Sequence, residues 1–481
     1  MRALRNTFYL YLSLLGTMVF GFIQLKILTA FLTKDEVGLF FAASGISLLL
    51  TTLSQLGFPL VYARFVPKYE AENKKEKSKR LLAFSLSTYT LLSLPFWLVI
   101  LALSLFFRGE GLLRALLYAY PAYFLYSFLG LLLSYFVGER RMHLTALFNL
   151  TALFLFNLLL FLLRHHLTVK LVFIALFGVS LPMALVVIAY VKPSFKSLKE
   201  IRREIQPFWS FAILGSFLTP LFMYIDRALI PAFLPLSALA VFSVARRIET
   251  SARRMLGVPL SSIAPEVSYY WERGGELREG FRSSFRAFVK IYLYLVVLFV
   301  SLLILLSKPL ILLISSREYL SAHVYLAILL VGGTPAALYT PYTMVARSLG
   351  RMDLFFAGDL IWIVTFGVSF VPLVHLLGLT GVALSFAIAH IVTLFYVFLI
   401  VNPRTIGIPV DLKYSTAMYG GLLIFLLLFY RQGYLPGALI LILLSVMGFV
   451  LLKGDERKRL KAFLGSAQEP PTSTTMREKS P

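Results

Sequence analysis

Residues 224–249 read YIDRALIPAFLPLSALAVFSVARRIE, and this stretch decides how the rest of the chain is interpreted. It ends one apolar segment, turns and begins another, in which Arg246 and Arg247 follow about ten residues from the start. Because an α-helix rises about 1.5 Å per residue, both arginines are expected roughly 15 Å deep, near the middle of a bilayer core about 30 Å thick. A charge at that depth costs about 3 kcal/mol or more, so two adjacent arginines indicate a function.

The chain as a whole is apolar. Its 481 residues are 59% hydrophobic and 14% charged, whereas soluble domains are about a quarter charged. Apolar runs of about 20 residues recur from end to end, and each is long enough to cross a bilayer as a helix. The sequence therefore predicts an all-α, polytopic membrane protein with about 14 transmembrane helices.

The apolar runs predict two pseudo-symmetric six-helix bundles, residues 1–200 and 201–403, followed by helices 13 and 14 within residues 404–453 and a basic cytoplasmic tail at 454–481. With the N-terminus inside, Lys and Arg are about four times as frequent in the cytoplasmic loops as outside, as the positive-inside rule requires. Both termini are therefore predicted to be cytoplasmic. The predicted spans are 7–32, 37–66, 81–107, 112–137, 144–163, 169–191, 207–231, 236–266, 288–315, 322–349, 354–377, 379–401, 413–430 and 435–452.

The chain also repeats itself at a spacing of about 200 residues. Three matching pairs follow in the same order: 24–46 with 224–248, which share AFL at 30–32 and 232–234; GFPL at 57–60 with GVPL at 257–260; and RMHL at 141–144 with RMDL at 351–354. Each copy holds six helices, an even number, so both copies enter the membrane from the same side. An axis along the membrane normal should relate them, with substrate bound where the bundles face each other.

The predicted eighth span carries a cluster of charged residues. Arg246, Glu249 and Arg253 are spaced i, i+3 and i+7 and share one helical face, while Arg247 and Arg254 lie about 100° round from it. This pattern predicts a basic strip in a water-filled cavity that attracts an anionic headgroup, because guanidinium donates paired hydrogen bonds to phosphate and stays charged. The alternative is that Arg253 and Arg254 anchor the cytoplasmic helix end and Arg246 pairs with Glu249.

Further charged residues lie within the predicted spans. Lys26 and Arg227 match each other in the repeat and are predicted to form a cationic wall, although Lys26 could instead reach the outer headgroups. Asp226 is expected to neutralise Arg227 or Lys26. The buried cations outnumber the buried carboxylates, which are Asp226, Glu249 and Asp359. Exporters of cations generally need a buried carboxylate, so an anionic substrate is predicted.

Several classes of site are excluded. Cysteine is absent, which removes disulfides and thiolate metal ligands, and the six histidines have no metal-binding spacing. No GxxxxGK[ST] loop occurs, so ATP is not the direct fuel, and neither a metal nor a cofactor is predicted. The net charge of +23 resides mostly in loops between spans, which indicates contact with anionic membrane lipids and not with nucleic acid.

Four stretches together resemble the polysaccharide-biosynthesis flippases of the multidrug/oligosaccharidyl-lipid/polysaccharide exporter superfamily: FLTKDEVGLFFAASGISLLLTTLSQLGFPLVYARFVPKY (31–69), YIDRALIPAFLPLSALAVFSVARRIE (224–249), SLGRMDLFFAGDLIW (348–362) and LLGLTGVALSFAIAH (376–390). The resemblance implies two six-helix lobes that move undecaprenyl-pyrophosphate-linked sugars, or sugars on a similar polyprenyl carrier, to the outer leaflet. It also implies a bacterial or archaeal cytoplasmic membrane and polysaccharide-assembly proteins as candidate partners.

The fourteen spans are also similar to the lipid II flippase branch of this superfamily, in which helices 13 and 14 form a groove for the lipid tail. That branch places cavity arginines on helices one, two and eight. The resemblance implies that Lys26 and the Arg246–Arg247 pair stand in the first and last of these places, whereas Arg64 lies too near the cytoplasmic end for the second. The arginine–aspartate pair of that branch's first helix is missing here, which favours a lipid-linked oligosaccharide other than lipid II.

The predicted function is therefore a flippase for a polyprenyl-(pyro)phosphate-linked oligosaccharide that works by alternating access. Replacing Arg246 and Arg247 together with alanine is expected to abolish headgroup transfer and to leave the protein folded. Two alternatives stay open. One is an ion-coupled multidrug or cation exporter that depends on Asp226 or Asp359. The other is a membrane polymerase or ligase of lipid-linked sugars, for whose catalytic groups the short loops leave little room.

Overall fold

The computed structural model describes residues 2–107, 111–257, 260, 267, 279–405, 407–408, 411–432, 434–452 and 454–456. Within these ranges the chain is helical and contains no β-strand. The first nine helices are α1 (Arg2–Phe31), α2 (Lys34–Ser54), α3 (Phe58–Ala71), α4 (Lys75–Phe106), α5 (Gly111–Gly138), α6 (Met142–Leu162), α7 (Val169–Val191), α8 (Leu198–Phe233) and α9 (Leu236–Gly257). The others are α10 (Glu279–Leu305), α11 (Ser307–Ile314), α12 (Ala322–Ser348), α13 (Met352–Leu377), α14 (Leu379–Tyr396), α15 (Leu412–Gln432) and α16 (Tyr434–Leu451).

Twelve helices within the described ranges are long and apolar enough to cross a membrane. The prediction of an all-α, polytopic membrane protein is therefore confirmed. Two of the predicted spans correspond to helices outside these twelve. One is α9, whose sequence contains four arginines and a glutamate, and the other is α16, which contributes the shorter apolar segment Ile440–Leu451.

The spans differ in how much of their surface is buried by protein. Most of the apolar stretch is buried in α2 (61%) and α5 (56%), but only 17% in α4. Lipid tails solvate apolar side chains as well as a protein core does, so an apolar membrane helix with little burial faces lipid. Helices α2 and α5 therefore lie inside their bundle, and α4 lies at its edge.

A sharp break separates α2 from α3, so the prediction of one continuous span over residues 37–66 is wrong. Gly57 adopts a left-handed conformation with φ of 73°, which is accessible to glycine at little cost. A Cβ atom there would also overlap the backbone carbonyl of Ala212 on α8. The carbonyl of Leu56, which the break frees, accepts a hydrogen bond of 2.9 Å from the Trp209 indole. The break thus brings α3 against α8 without leaving this buried group unpaired.

One further predicted span is interrupted, and another lies partly outside the described ranges. The span at 288–315 is interrupted between α10 and α11, where Pro309 lies in the first turn of α11. Proline is tolerated in a first turn but blocks continuation of a preceding helix, which explains the interruption. The span at 236–266 is helical as far as Gly257; residues 258–259 and 261–266 lie outside the described ranges.

Helix boundaries fall at positions that the sequence repeat aligns. Helices α1 and α8 end at Phe31 and Phe233, the middle residues of the two AFL tripeptides. Helices α6 and α13 begin at Met142 and Met352, which the RMHL and RMDL motifs align. The helices of both copies therefore begin or end at matching residues of the repeat.

The starts of α2 and α9 meet at another pair of matching positions. The Asp35 carboxylate accepts a hydrogen bond of 3.0 Å from the backbone N–H of Ser237, its counterpart in the repeat. A Cβ atom on Gly38 would overlap the carbonyl of Leu236, so glycine permits this close approach. The carboxylate satisfies an N–H group at the α9 N-terminus, where helices leave such groups without a partner.

The chain divides into two compact units. The first comprises Met1–Arg254, Lys308–Leu329 and Phe356–Val392. The second comprises Met255–Ser307, Leu330–Phe355 and Thr393–Pro481. These limits differ from the predicted boundaries near residues 200 and 403, and the division into two six-helix bundles stays a prediction.

Candidate functional site

A cavity of about 460 Å³ lies in the first compact unit and is lined by residues of seven helices, α1, α2 and α5 to α9. Five arginines line it, and no aspartate or glutamate is among its described lining residues. These arginines are Arg227, Arg246, Arg247, Arg253 and Arg254. Five of the six cations predicted to bind substrate are thus brought together in one cavity.

Arg246 is held in a buried ion-pair network. Its Nε atom lies 3.2 Å from Oδ2 of Asp226, and its Nη1 atom lies 2.5 Å from Oε2 of Glu249. Its Cζ atom also lies 4.4 Å from the centroid of the Phe386 ring. Arg246 is 7% exposed and its two acidic partners are 2% and 3% exposed. Two carboxylates and an aromatic face therefore compensate its charge inside the protein.

Arg253 extends the same network by one turn of α9. Its Nε atom donates a hydrogen bond of 2.8 Å to Oε1 of Glu249, and its Nη2 group contacts the same oxygen. The Nη2 group also lies 3.2 Å from Nε2 of His390. Arg246, Glu249 and Arg253 share one helical face, as their spacing predicts. With Asp226 included, this network balances two guanidinium groups against two carboxylates.

The other three arginines of the cavity have no such partner. Among the described residues, no carboxylate lies within 4.0 Å of the side chains of Arg227, Arg247 or Arg254. The Cζ atom of Arg227 instead lies 5.6 Å from the ring centroids of Phe41 and Tyr224. Arg247 and Arg254 are separated by seven residues on α9, so they project from one face. The cavity wall therefore carries three positive charges that these residues do not neutralise.

Glycines on α1 and α2 make room for two of these unpaired side chains. A Cβ atom on Gly21 would overlap the guanidinium of Arg247, so that group lies directly against the backbone of α1. A Cβ atom on Gly45 would overlap the Cβ and Cδ atoms of Arg227. The sequence offers little warning of these roles, because glycine is frequent in transmembrane helices for many reasons.

Lys26 lies elsewhere: the structure does not bring it to the wall where the other five cations meet, and a role for it in substrate binding stays a prediction. Lys26 is not among the residues that line the cavity. Its Nζ group donates hydrogen bonds of 2.8 and 2.6 Å to the carbonyls of Leu312 and Ser315, at the end of α11. The last carbonyls of a helix lack intrahelical partners and carry partial negative charge, which explains why they bind a lysine.

The acidic residues also differ from expectation. Asp226 pairs with Arg246 and not with Arg227 or Lys26, because adjacent helical residues project about 100° apart and the Asp226 carboxylate turns towards α9. The Oδ1 atom of Asp226 accepts a hydrogen bond of 3.0 Å from the backbone N–H of Arg227. Asp359 lies half-buried on α13 and does not line the cavity. Coupling roles for these residues stay predictions.

A neutral polar wall that was not predicted from the sequence lines another part of the cavity. Asn149 donates hydrogen bonds of 3.1 and 2.9 Å to the hydroxyls of Ser13 and Thr17, which fixes its amide. Gln24 and Tyr126 also line the cavity. Thr17, Gly21 and Gln24 recur at helical spacing, and this periodicity could have identified a polar face on α1.

Comparison with known proteins supports the fold and identifies the family. The chain aligns with a solved structure of the lipid II flippase MurJ in an inward closed conformation, with a TM-score of 0.69, 16% identity and coverage of 92% of this chain and 98% of the other. It aligns with an inward-facing multidrug resistance MATE family transporter of the MOP superfamily with a TM-score of 0.65, 15% identity and coverage of 83% and 98%. At these identities the likeness concerns the fold alone.

Sequence comparison adds a relative and a family. Stage V sporulation protein B of Bacillus subtilis (strain 168) is 31% identical over 93 residues, which cover 19% of this chain and 18% of that protein. The match thus spans less than a fifth of the relative's length. The family model described as polysaccharide biosynthesis protein matches residues 3–271. Since this match extends over more than half of the 481 residues, the chain belongs to the polysaccharide biosynthesis protein family.

Proposed function

We propose that this protein is a flippase that moves a polyprenyl-(pyro)phosphate-linked oligosaccharide from the inner to the outer leaflet by alternating access. The observation that carries the proposal is the cavity wall, on which Arg227, Arg247 and Arg254 have no described acidic partner. Membership of a polysaccharide biosynthesis family and a flippase-like fold support the same conclusion.

The division of the arginines determines the roles that we assign to them. Arg246 pairs with Asp226 and Glu249, and Arg253 pairs with Glu249, so their contribution is to hold α8, α9 and α14 together around the cavity. Arg227, Arg247 and Arg254 keep their charge available for a ligand. A pyrophosphate bears several negative oxygens, and guanidinium groups bind such oxygens with paired, charge-assisted hydrogen bonds. The headgroup therefore binds these three arginines.

A cationic substrate fits this wall poorly. An exporter of cations needs an accessible carboxylate to attract its cargo and to exchange it for a coupling ion. In the described lining of the cavity there is no carboxylate, and both acidic residues beside it are engaged by arginines. Like-charge repulsion would add to the cost of bringing a cation into this space.

The membrane orientation belongs to the same proposal. The excess of Lys and Arg in the predicted cytoplasmic loops supports an arrangement with both termini in the cytoplasm. Headgroup synthesis and assembly would then take place on opposite faces of a bacterial or archaeal cytoplasmic membrane. Polysaccharide-assembly proteins are the partners expected on the outer face.

A flipping assay in liposomes tests the proposal. The full chain is reconstituted with a fluorescent undecaprenyl-pyrophosphate-linked sugar, and a membrane-impermeant quencher reports the amount in the outer leaflet. Arg247→Gln and Arg254→Gln are expected to slow transfer at least about tenfold, which corresponds to the loss of one charge-assisted hydrogen bond or more. Arg202→Gln is the matched control, because Arg202 is exposed on α8 and does not line the cavity.

The assay can also reject the proposal. Transfer at the wild-type rate by Arg247→Gln and Arg254→Gln would exclude the assigned headgroup site. Transport of a lipophilic cation without transport of the lipid-linked sugar would support a cation exporter. Bond formation between lipid-linked sugars by the purified protein would support a polymerase or ligase.

A further inference from the structure

We propose that the neutral polar wall of the cavity, formed by Thr17, Gln24, Tyr126 and Asn149, is a carbohydrate subsite that recognises the sugar attached to the carrier phosphate. The inference rests on the proposed function, because it assigns the uncharged part of the same headgroup. It goes further by separating a phosphate position on α8 and α9 from a sugar position on α1, α5 and α6.

The geometry of α1 sets the distance between the two positions. Gly21 lies directly beneath the Arg247 guanidinium. Thr17 precedes Gly21 by four residues and Gln24 follows it by three, so both flank it on the same helical face. One helical turn is about 5.4 Å long. A sugar joined to a phosphate at Arg247 would therefore reach the side chains one turn away.

The wall contains hydrogen-bonding groups that are available to a ligand. No side-chain hydrogen bond of Gln24 or Tyr126 occurs within the described part of the chain, although both line the cavity. Asn149 uses its two amide hydrogens on Ser13 and Thr17, which leaves its carbonyl oxygen as a fixed acceptor. The wall thus offers a complete amide, a phenol and an oriented carbonyl.

These groups match the chemistry of a sugar. A sugar ring carries neighbouring hydroxyls that both donate and accept, and an amide can do the same in both directions. Tyr126 is braced by Tyr123, with ring centroids 6.1 Å apart in an edge-on arrangement, and adds an aromatic surface with a polar end. A wall without charge avoids competition for the phosphate, which the arginines attract more strongly.

Binding measurements on two ligands distinguish the subsite from the phosphate site. The probes are bare undecaprenyl pyrophosphate and a panel of the same lipid carrying one N-acetylhexosamine or one hexose. Affinities for the purified full chain are measured by native mass spectrometry in detergent. The variants are Gln24→Met and Tyr126→Phe, which remove polar atoms with little change of shape. Gln206→Met is the control, because Gln206 is exposed on α8 and does not line the cavity.

The wild-type protein is expected to bind at least one glycosylated lipid of the panel about three- to tenfold more tightly than the bare pyrophosphate, as one or two net hydrogen bonds would provide. Gln24→Met and Tyr126→Phe are expected to reduce that preference and to leave affinity for the bare lipid unchanged. Gln206→Met should retain the wild-type preference.

Equal wild-type affinity for the bare lipid and for every glycosylated lipid would overturn the subsite. An undiminished preference in both Gln24→Met and Tyr126→Phe would overturn it as well. Neither result would contradict the phosphate site, which is tested by a separate measurement. If wild type and Arg247→Gln bind bare undecaprenyl pyrophosphate equally, the proposed function itself fails.

Discussion

The Nε atom of Arg246 lies 3.2 Å from Oδ2 of Asp226, a residue twenty positions earlier on the preceding helix. This ion pair removes Arg246 from the set of free charges in the cavity. Its sequence neighbour Arg247 has no described carboxylate within 4.0 Å and lies against Gly21. Two adjacent arginines with the same apparent depth in the membrane therefore have different physical roles.

The first prediction separates these two arginines by stability. Arg246→Ala leaves the buried carboxylate of Asp226 without its ion-pair partner, which is expected to cost about 3–5 kcal/mol. Arg247→Ala breaks no ion pair to any described residue and should leave stability nearly unchanged. Thermal unfolding of the detergent-purified variants measures both effects. The Arg246→Ala, Arg247→Ala double variant should lose about the same stability as Arg246→Ala alone.

Recovery of stability provides the check on this prediction. Asp226→Asn combined with Arg246→Gln removes both charges and should unfold at a higher temperature than Arg246→Ala, because it leaves no unpaired charge on α8. An Arg246→Ala variant that unfolds at the wild-type temperature would show that the buried network contributes nothing.

The second prediction concerns Gly21, against which the Arg247 guanidinium lies. Gly21→Ala places a methyl group where the guanidinium now lies, and the flexible end of the arginine must move away. Headgroup affinity is expected to fall about three- to tenfold, consistent with the loss of a well-placed hydrogen bond, with little loss of stability. Gly130→Ala is the matched control, because Gly130 lines the same cavity and an added Cβ atom would meet nothing within 4 Å.

Gly45→Ala tests a contact of the same kind in which the overlapped atoms are less free to move. The added methyl group would overlap the Cβ and Cδ atoms of Arg227, close to the α8 backbone. The helices must therefore move apart, whereas at Gly21 the end of the arginine side chain can move aside. Overpacking of this sort typically costs about 1–3 kcal/mol. A lower unfolding temperature for Gly45→Ala than for Gly21→Ala is expected, and the reverse order would contradict the assignment.

The third prediction is a pH dependence at the cytoplasmic end of α8. Partial burial raises the pKa of the Glu204 carboxyl, but Lys77 and Lys68, at 2.8 and 3.4 Å, outweigh burial and hold its pKa below the ordinary 4.5. A depressed folded-state pKa stabilises the protein above 4.5, and this stabilisation is lost as the pH falls further. Unfolding temperatures measured from pH 7 to below pH 4 should therefore fall less steeply in Glu204→Gln than in the wild type.

The fourth prediction concerns the orientation in the membrane. The chain contains no cysteine, so single cysteines can be introduced without altering a native thiol. Lys199→Cys, on the exposed surface near the start of α8, should react with a membrane-impermeant maleimide only after the membrane is opened. His166→Cys, exposed between α6 and α7, should react in intact cells. The opposite pattern would invert the proposed topology.

The helical arrangement of the charged residues was predictable from the sequence. The i, i+3 and i+7 spacing of Arg246, Glu249 and Arg253 places them on one face, and the structure joins them in one ion-pair chain. Local geometry suffices for this prediction, because neighbours three and four positions apart on a helix are always close.

Pairings between distant segments were not predictable in the same way. Lys26 lies within a span, as its position indicates, yet it binds the carbonyls of Leu312 and Ser315 at the end of a helix almost 300 residues later. The break at Gly57 was also missed, because an apolar run continues through it while the left-handed conformation depends on contact with α8.

The sequence alone established that the protein is polytopic and helical, and it singled out Arg246 and Arg247. Hydropathy and the order of charges suffice for this, because they depend only on the local chain and its solvent. The position of Asp226 decided that Arg246 is paired and Arg247 is not. The approach of α1 to α9 decided that the Arg247 guanidinium lies against Gly21. Ion pairs and close helix contacts form between residues far apart in sequence, so only the folded arrangement of the helices decided them.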